Sequence, residues 1–153
     1  MFFKGDYFFL SNFYPCQIPC KVKDRYIIFP SVENAFQAYK NIDLAPKFEH
    51  LKPLEAKKYG KEIPLTTENW NIYRLYVMAN LLNLKFKDIS LMVRLKNIEG
   101  EIIEDNYWND DFWGKCKGKG KNILGRLLMC IRDKNNDLDS LYKLIETELI
   151  YDI

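Results

Sequence analysis

Pro30-Ser31-Val32-Glu33-Asn34-Ala35-Phe36-Gln37-Ala38-Tyr39-Lys40 is the stretch where the chain changes period. Before it the sequence is β-like: Tyr7-Phe8-Phe9-Leu10, Lys21-Val22-Lys23 and Arg25-Tyr26-Ile27-Ile28-Phe29 are aromatic and branched, broken by Pro15, Pro19 and Pro30. Lys23-Asp24-Arg25 reads as a tight turn between two strands. After Pro30, Val32, Ala35, Phe36 and Tyr39 recur at helical spacing, with Ser31 placed to cap the start. Working outward, short helices are expected after Pro46 and after Pro53. A longer one runs from Trp70 to Phe86, polar in its middle only at Asn80 and Asn83 and so expected to be buried. Another covers Ile89 to Leu95, a short strand Glu101 to Glu104, and two final helices Ile123 to Arg132 and Leu138 to Leu149. No linker, repeat or low-complexity tract interrupts residues 1–153. The reading is α+β: a single, predominantly helical domain with a small N-terminal antiparallel sheet.

Composition narrows the chemistry. The 153 residues are 48% hydrophobic and 15% aromatic, which excludes general disorder. A chain of this size buries about two thirds of its unfolded surface and folds without a disulfide or metal. With 23 basic and 21 acidic side chains the net charge is +2, against a protein built wholly on non-specific nucleic-acid binding. His50 is the single histidine, so zinc sites using several histidines are excluded and any triad would rest on that one residue. Cys16, Cys20, Cys116 and Cys130 form no Cys-x-x-Cys pair and read as reduced thiols. Charges arrive at once after Met1, and no run approaches a membrane span. The expectation is a cytoplasmic protein that uses neither metal nor cofactor and does not associate with membranes.

Three groups of residues carry chemistry. On the helix opening at Ser31, Glu33, Gln37 and Lys40 lie at i, i+4 and i+7, a polar stripe beside the apolar one. A carboxylate flanked there by an amide and an ammonium suits a cationic transition state; the alternative is an exposed stripe with a minor charge pair. Residues Glu104 to Trp113 hold four carboxylates and four aromatics in ten positions, flat surfaces beside acceptors that suit a base and a ribose, or else an aromatic-cored turn. Gly114 to Asn122 is rich in glycine and lysine and runs into a helix, a pattern that fits a phosphate or a flexible basic loop. It lacks the Gly-Lys-Ser/Thr of a Walker loop. Residues 115–134 carry seven bases and one acid, whereas 137–153 carry five acids and one lysine.

On these same residues the sequence resembles the NADAR (YbiA-like) N-glycosidase superfamily, over roughly residues 2–132. The resemblance rests on Phe9 to Cys16, Pro30 to Lys40, Glu55 to Gly60, Trp70, Val77-Met78, Lys85-Phe86, Glu104 to Trp113 and Gly114 to Met129. It implies a YbiA-like fold and hydrolysis of an N-glycosidic bond joining a ribose phosphate or ADP-ribose to a base or amine. Known family substrates are early riboflavin-pathway intermediates and ADP-ribose on guanine in nucleic acid. Two positions depart: the family often has Glu-His where this chain has Glu33-Asn34, and Trp-Gly-Asp where it has Trp108-Asn109-Asp110. Asparagine tolerates the left-handed backbone that such a turn needs.

The resemblance implies roles for these residues. Glu33 stabilises the oxocarbenium-like ribose or activates water, and Asp110 orients ribose hydroxyls or water. Lys40 neutralises phosphate or attacks C1′. Trp108 or Trp70 stacks on the base, while Lys119, Lys121 and the amides near Asn122 hold phosphate. Asn12, Phe13, Gln37, Glu104, Asn106, Trp113, Gly114 and Gly120 line the substrate site. The partner is a nucleotide-sugar or ribosyl phosphate, including ADP-ribosylated DNA or RNA. Two other classes remain: a non-catalytic binder of NAD, ADP-ribose or ribosylated nucleic acid, and a nucleic-acid accessory protein working through the lysine loop. Oligomeric state has no signature in the sequence.

Overall fold

Lys23 takes a left-handed conformation (φ +55) and folds Ile18–Val22 (β1) back on Arg25–Phe29 (β2). The strands are antiparallel, Ile18 opposite Phe29 and Val22 opposite Arg25. Ile18, Cys20, Val22, Ile27 and Phe29 point inward, as alternation along a pleated pair requires. The computed structural model describes all 153 residues, which gather into two compact units, Asn12–Lys85 and Met1–Ser11 with Phe86–Ile153. Each is taken in turn.

In the Asn12–Lys85 unit, the helix Val32–Ala38 (α1) begins where the Ser31 hydroxyl accepts the Asn34 amide at 3.1 Å. Every residue of α1 is buried, because it packs on both strands and on two helices. Pro53 opens α2 (Pro53–Glu62), and Glu55 accepts the free Lys52 amide at 2.8 Å. The long helix α3 (Trp70–Lys85) packs against α1 and β1 and buries Leu75, Val77, Met78, Ala79, Leu81 and Leu82, as its apolar middle requires. The helix expected after Pro46 is instead a 3₁₀ segment, Ile42–Phe48, which starts earlier and contains the proline. Pro46 has no amide hydrogen, so the chain advances in short steps, with Leu44 donating to Asn41 and Glu49 to Pro46.

The second unit corrects two expectations. Tyr7–Leu10 is not a strand but part of a 3₁₀ segment, Gly5–Leu10, whose consecutive residues Phe9 and Leu10 are both buried. Gly5 at φ +57 sets its start, and aromatic composition alone mimicked a strand. Residues 101–104 also form no strand, because the Glu104 amide donates to the Asn122 side chain at 3.0 Å rather than to a ladder. Pairing begins one residue later, where Asp105–Asn106 (β3) runs parallel to Lys115–Cys116 (β4). The helix Ile89–Lys96 (α4) is capped by Asp88, and Ile123–Asp133 (α5) packs against it. Leu138–Thr147 (α6) lays Leu141 and Ile145 on α5, then tightens into a 3₁₀ turn, Leu149–Asp152. No helix is long and apolar enough to cross a membrane.

Candidate active site

Glu33 sits in the first turn of α1 at 8% exposure, a burial that carboxylates rarely adopt without partners. Its main-chain amide donates to the Asn12 carbonyl at 3.0 Å, which ties the Asn12–Tyr14 segment to the start of the helix. One turn on, Gln37 donates Nε2 to Glu33 Oε1 at 2.8 Å. The Gln37 carbonyl oxygen is buried with no hydrogen-bond donor in reach, and so is Asn12 Oδ1, whose amide nitrogen faces Met78 Sδ at 3.6 Å. A buried acceptor without a donor costs about 1–3 kcal/mol, and Asn12 Oδ1 fits a sugar hydroxyl, which is a donor.

The stripe of Glu33, Gln37 and Lys40 is therefore buried or half-buried rather than a solvated helix face. Burial pushes the Lys40 ammonium below the usual lysine range; the Glu33 charge opposes that shift, while Lys61 and Arg74 add to it. Lys61 and Arg74, absent from the site expected from the sequence, are thus near enough for their charges to act on Lys40. Their signal was invisible in spacing, because they arrive from α2 and α3. Trp70 packs on Phe36 at 5.3 Å between ring centroids and on Tyr73 at 6.5 Å, and the Lys57 ammonium lies 5.9 Å from the Phe13 ring.

Asn34, the residue standing where the family often has histidine, has a structural task. Its Nδ2 donates to the main-chain carbonyls of Phe48 at 2.8 Å and Leu51 at 2.7 Å, and its Oδ1 accepts the Ser31 hydroxyl at 2.6 Å. Lys85 closes α3. It is 2% exposed, and burial pushes its ammonium down to about 7, slightly opposed by Cys16. Its Nζ lies 5.6 Å from the Tyr14 ring centroid.

In the other unit, the loop from Glu104 to Asn122 is held by its own side chains. Asn106 donates to Glu104 Oε2 at 3.1 Å and to the Asp110 carbonyl at 2.8 Å, and accepts the Asp110 amide at 3.1 Å. Asp110 Oδ1 receives the amides of Phe112 at 3.1 Å and Trp113 at 2.9 Å, so one oxygen of this carboxylate shapes the turn. Asn109 adopts φ +63, the left-handed turn expected of its position. Trp113 packs edge-on against Phe112, and Phe2 stacks on Tyr107 at 4.6 Å. Trp108 is 56% exposed, which leaves ring surface on the loop.

Near Asn122, where a phosphate cradle is expected, three main-chain donors have partners within the fold. The Asn122 amide donates to the Gly114 carbonyl, that of Ile123 to Phe112 and that of Leu124 to Trp113, so these helix-start donors are already engaged. The Asn122 side chain is buried between the Glu104 amide and the Ile102 carbonyl. Gly114 and Gly120 are close-approach glycines: a Cβ at Gly114 would stand 1.7 Å from Glu104 Oε2, and one at Gly120 2.3 Å from the Gly114 carbonyl. Lys121 donates to the Asp152 carbonyl and lies 5.9 Å from the Phe112 ring, whereas Lys119 is exposed. His50 is likewise exposed, 3.5 Å from Glu49.

Comparison with known proteins follows the same residues. The model of the NADAR domain matches residues 1–135. N-glycosidase YbiA of Escherichia coli is 33% identical over 137 residues, covering 84% of this chain and 82% of that protein. The NMR structure of E. coli YbiA superposes with a TM-score of 0.71 at 30% identity, over 92% of this chain and 82% of that one. A riboflavin biosynthesis protein of Vibrio vulnificus is 30% identical over 82% of this chain, and the chloroplastic riboflavin biosynthesis protein PYRR of Zea mays is 31% identical over 81%. The chain spans only 35% and 23% of those two proteins. This is an α+β fold of the YbiA type. The chain belongs to the NADAR family, and the relatives that it matches over most of their length are named N-glycosidases.

Proposed function

We propose that this N-glycosidase-family enzyme hydrolyses the bond between C1′ of a phosphorylated ribose, as in a ribosyl phosphate or ADP-ribose, and the nitrogen of a base or amine. The observation that carries the reading is the buried Glu33 with Gln37 Nε2 on its Oε1 and the donor-less acceptor Asn12 Oδ1 on the segment tied to its amide. Leaving of the base builds positive charge on the ribose, and a fixed carboxylate stabilises that charge or takes a proton from the attacking water. Asn12 Oδ1 suits a ribose hydroxyl. Lys40, Lys61 and Arg74 supply the charge for phosphate, in place of the amides at the start of α5, which are already engaged. Trp70, in the same unit as Glu33, is the candidate stacking surface.

The second reading is a non-catalytic binder of NAD, ADP-ribose or ribosylated nucleic acid. The test is product detection by mass spectrometry on a panel holding both a ribosylamino riboflavin intermediate and ADP-ribosylated guanine. Release of free base from one of them by the native enzyme, abolished in a folded Glu33→Gln variant, is the expected result. Normal turnover by that variant overturns the mechanism; binding of ADP-ribose without turnover of any member overturns the activity.

A further inference from the structure

Val22 and Arg25 close the β1–β2 hairpin across only two residues, Lys23 and Asp24. In a two-residue hairpin the closing residues exchange both of their main-chain hydrogen bonds. Every second residue back along β1 does the same, so Cys20 and Ile18 also face β2. Pro19 and Lys21 therefore turn their main-chain polar groups to the other edge, where a proline costs no ladder bond. The sheet has only these two strands, and neither the Pro19 carbonyl nor the amide and carbonyl of Lys21 has a hydrogen-bond partner elsewhere in the chain. That edge meets a cavity of about 260 Å³ between β1 and α3. Pro19, Cys20 and Lys21 all line it, which consecutive strand residues do only along an edge, because their side chains alternate faces. Tyr39, Tyr73 and Tyr76 supply ring surface, and Lys21 is the only charged residue in the lining. Burial pushes the Tyr39 hydroxyl above its ordinary range, as it does the Cys20 thiol with which it shares a hydrogen bond, so both stay neutral. Glu33, Gln37, Asn12 and Trp70 take no part in the lining.

We propose that this cavity binds an uncharged, planar nitrogen heterocycle of one or two rings, with an amino group beside a ring nitrogen as in adenine. The Pro19 carbonyl, Lys21 amide and Lys21 carbonyl set an acceptor, a donor and an acceptor in a row along an extended strand. An exocyclic amine donates to a carbonyl of that row while the adjacent ring nitrogen accepts the amide. Tyrosine rings pack on the flat faces. The volume is below the roughly 300 Å³ at which drug-sized sites begin, which admits a bare heterocycle and not a nucleotide. A peptide strand is the poorer fit, since Pro19 leaves the edge with a single amide donor at the cavity. The inference goes beyond the glycosidase reading and does not rest on it.

The test uses the full chain and main-chain amide NMR with adenine, with purine, which lacks the amine, and with tetra-alanine as an extended strand. Adenine is expected to move the amides of Lys21, Tyr73 and Tyr76 and to bind about tenfold more tightly than purine, the worth of about one hydrogen bond. Lys21→Pro removes the outward amide and leaves the β1–β2 ladder whole, whereas Lys21→Ala keeps that amide and removes the charge. Adenine affinity measured by calorimetry is expected to fall by about tenfold or more in Lys21→Pro and to hold in Lys21→Ala. Equal affinity of the native chain for adenine and purine overturns the proposal, and so does native adenine affinity in a folded Lys21→Pro variant. Shifts confined to Glu33, Gln37 and Asn12 would place the heterocycle in the glycosidase site and overturn it as well. Tetra-alanine binding at Lys21 in preference to adenine would assign the edge to a peptide and overturn it. Absence of any shift at about 1 mM adenine does the same.

Discussion

Gln37 and Glu33 are locked together across one turn of α1, and the lock has a direction. A carboxylate only accepts, so Gln37 must present Nε2 to Glu33, and its Oε1 then faces Gly60 on α2. A Cβ at position 60 would stand 2.0 Å from that oxygen and 2.7 Å from the amide carbon. Helix α2 therefore approaches α1 closely enough to hold the amide only because residue 60 has no side chain. The carboxylate is positioned by a chain of three residues, of which the sequence placed two on one helix.

Gly60→Ala tests that chain. Alanine favours the helix by about 1 kcal/mol, so propensity alone predicts a gain in stability. The clash instead displaces Gln37 and breaks its hydrogen bond to Glu33, which is worth about 1.5–3 kcal/mol because one partner is charged. Turnover of a ribosyl substrate is expected to fall about tenfold to a hundredfold in Gly60→Ala and in Gln37→Ala alike. The double variant relieves the clash, so its melting temperature recovers while its activity does not. Additive losses of activity in the double variant would show that the two residues act separately.

Asn34→Ala removes the side-chain donor from the buried carbonyl of Phe48 and the half-buried one of Leu51. A cost of about 2–5 kcal/mol in urea unfolding is expected from two orphaned acceptors, with turnover per folded molecule retained. A variant of native stability and impaired turnover would return this position to the chemistry.

Asp110 separates shape from charge. Asp110→Asn keeps an oxygen for the amides of Phe112 and Trp113, whereas Asp110→Ala removes it. The asparagine variant is expected to retain most activity, and the alanine variant to lose about 0.5–2 kcal/mol of stability together with activity, as for a lost cap. Loss of turnover in Asp110→Asn, measured at unchanged stability, would assign the chemistry to its charge.

The local signals were the legible ones. Ser31 and Pro53 announce helix starts by chemistry confined to three or four residues, and the period change at Pro30 separates hairpin from helix. Tyr7–Leu10 misled because aromatic content is common to strands and to short turns under a core, and no period longer than two could be read in four residues. Glu33, Gln37 and Lys40 were legible as a stripe, but not as a buried one, since burial is set by α2 and α3 packing over them. Lys61 and Arg74 reach that stripe only through the fold. The loop after Gly114 fits either a phosphate or a flexible basic loop in sequence because glycine serves both anion approach and tight packing; the carbonyls of Phe112, Trp113 and Gly114 hold the amides of Ile123, Leu124 and Asn122 where α5 begins.

Lys85 makes stability depend on pH in a direction opposite to that of an ion-paired lysine. Its ammonium is held down at about 7 by burial, against 10.5 for the ordinary side chain. Below pH 7 both folded and unfolded chains carry the proton, and the full cost of burying the charge is present. Between about 7 and 10.5 the unfolded chain binds more protons than the folded one, so the free energy of unfolding rises with pH through that window. Urea titrations from pH 6 to 10 should show this rise, on the order of a few kcal/mol in all. Lys85→Met keeps the volume and removes the charge, so it is expected to flatten the rise and to be most stabilising, relative to the native chain, below pH 7. A rise that persists unchanged in Lys85→Met would place its origin in another group.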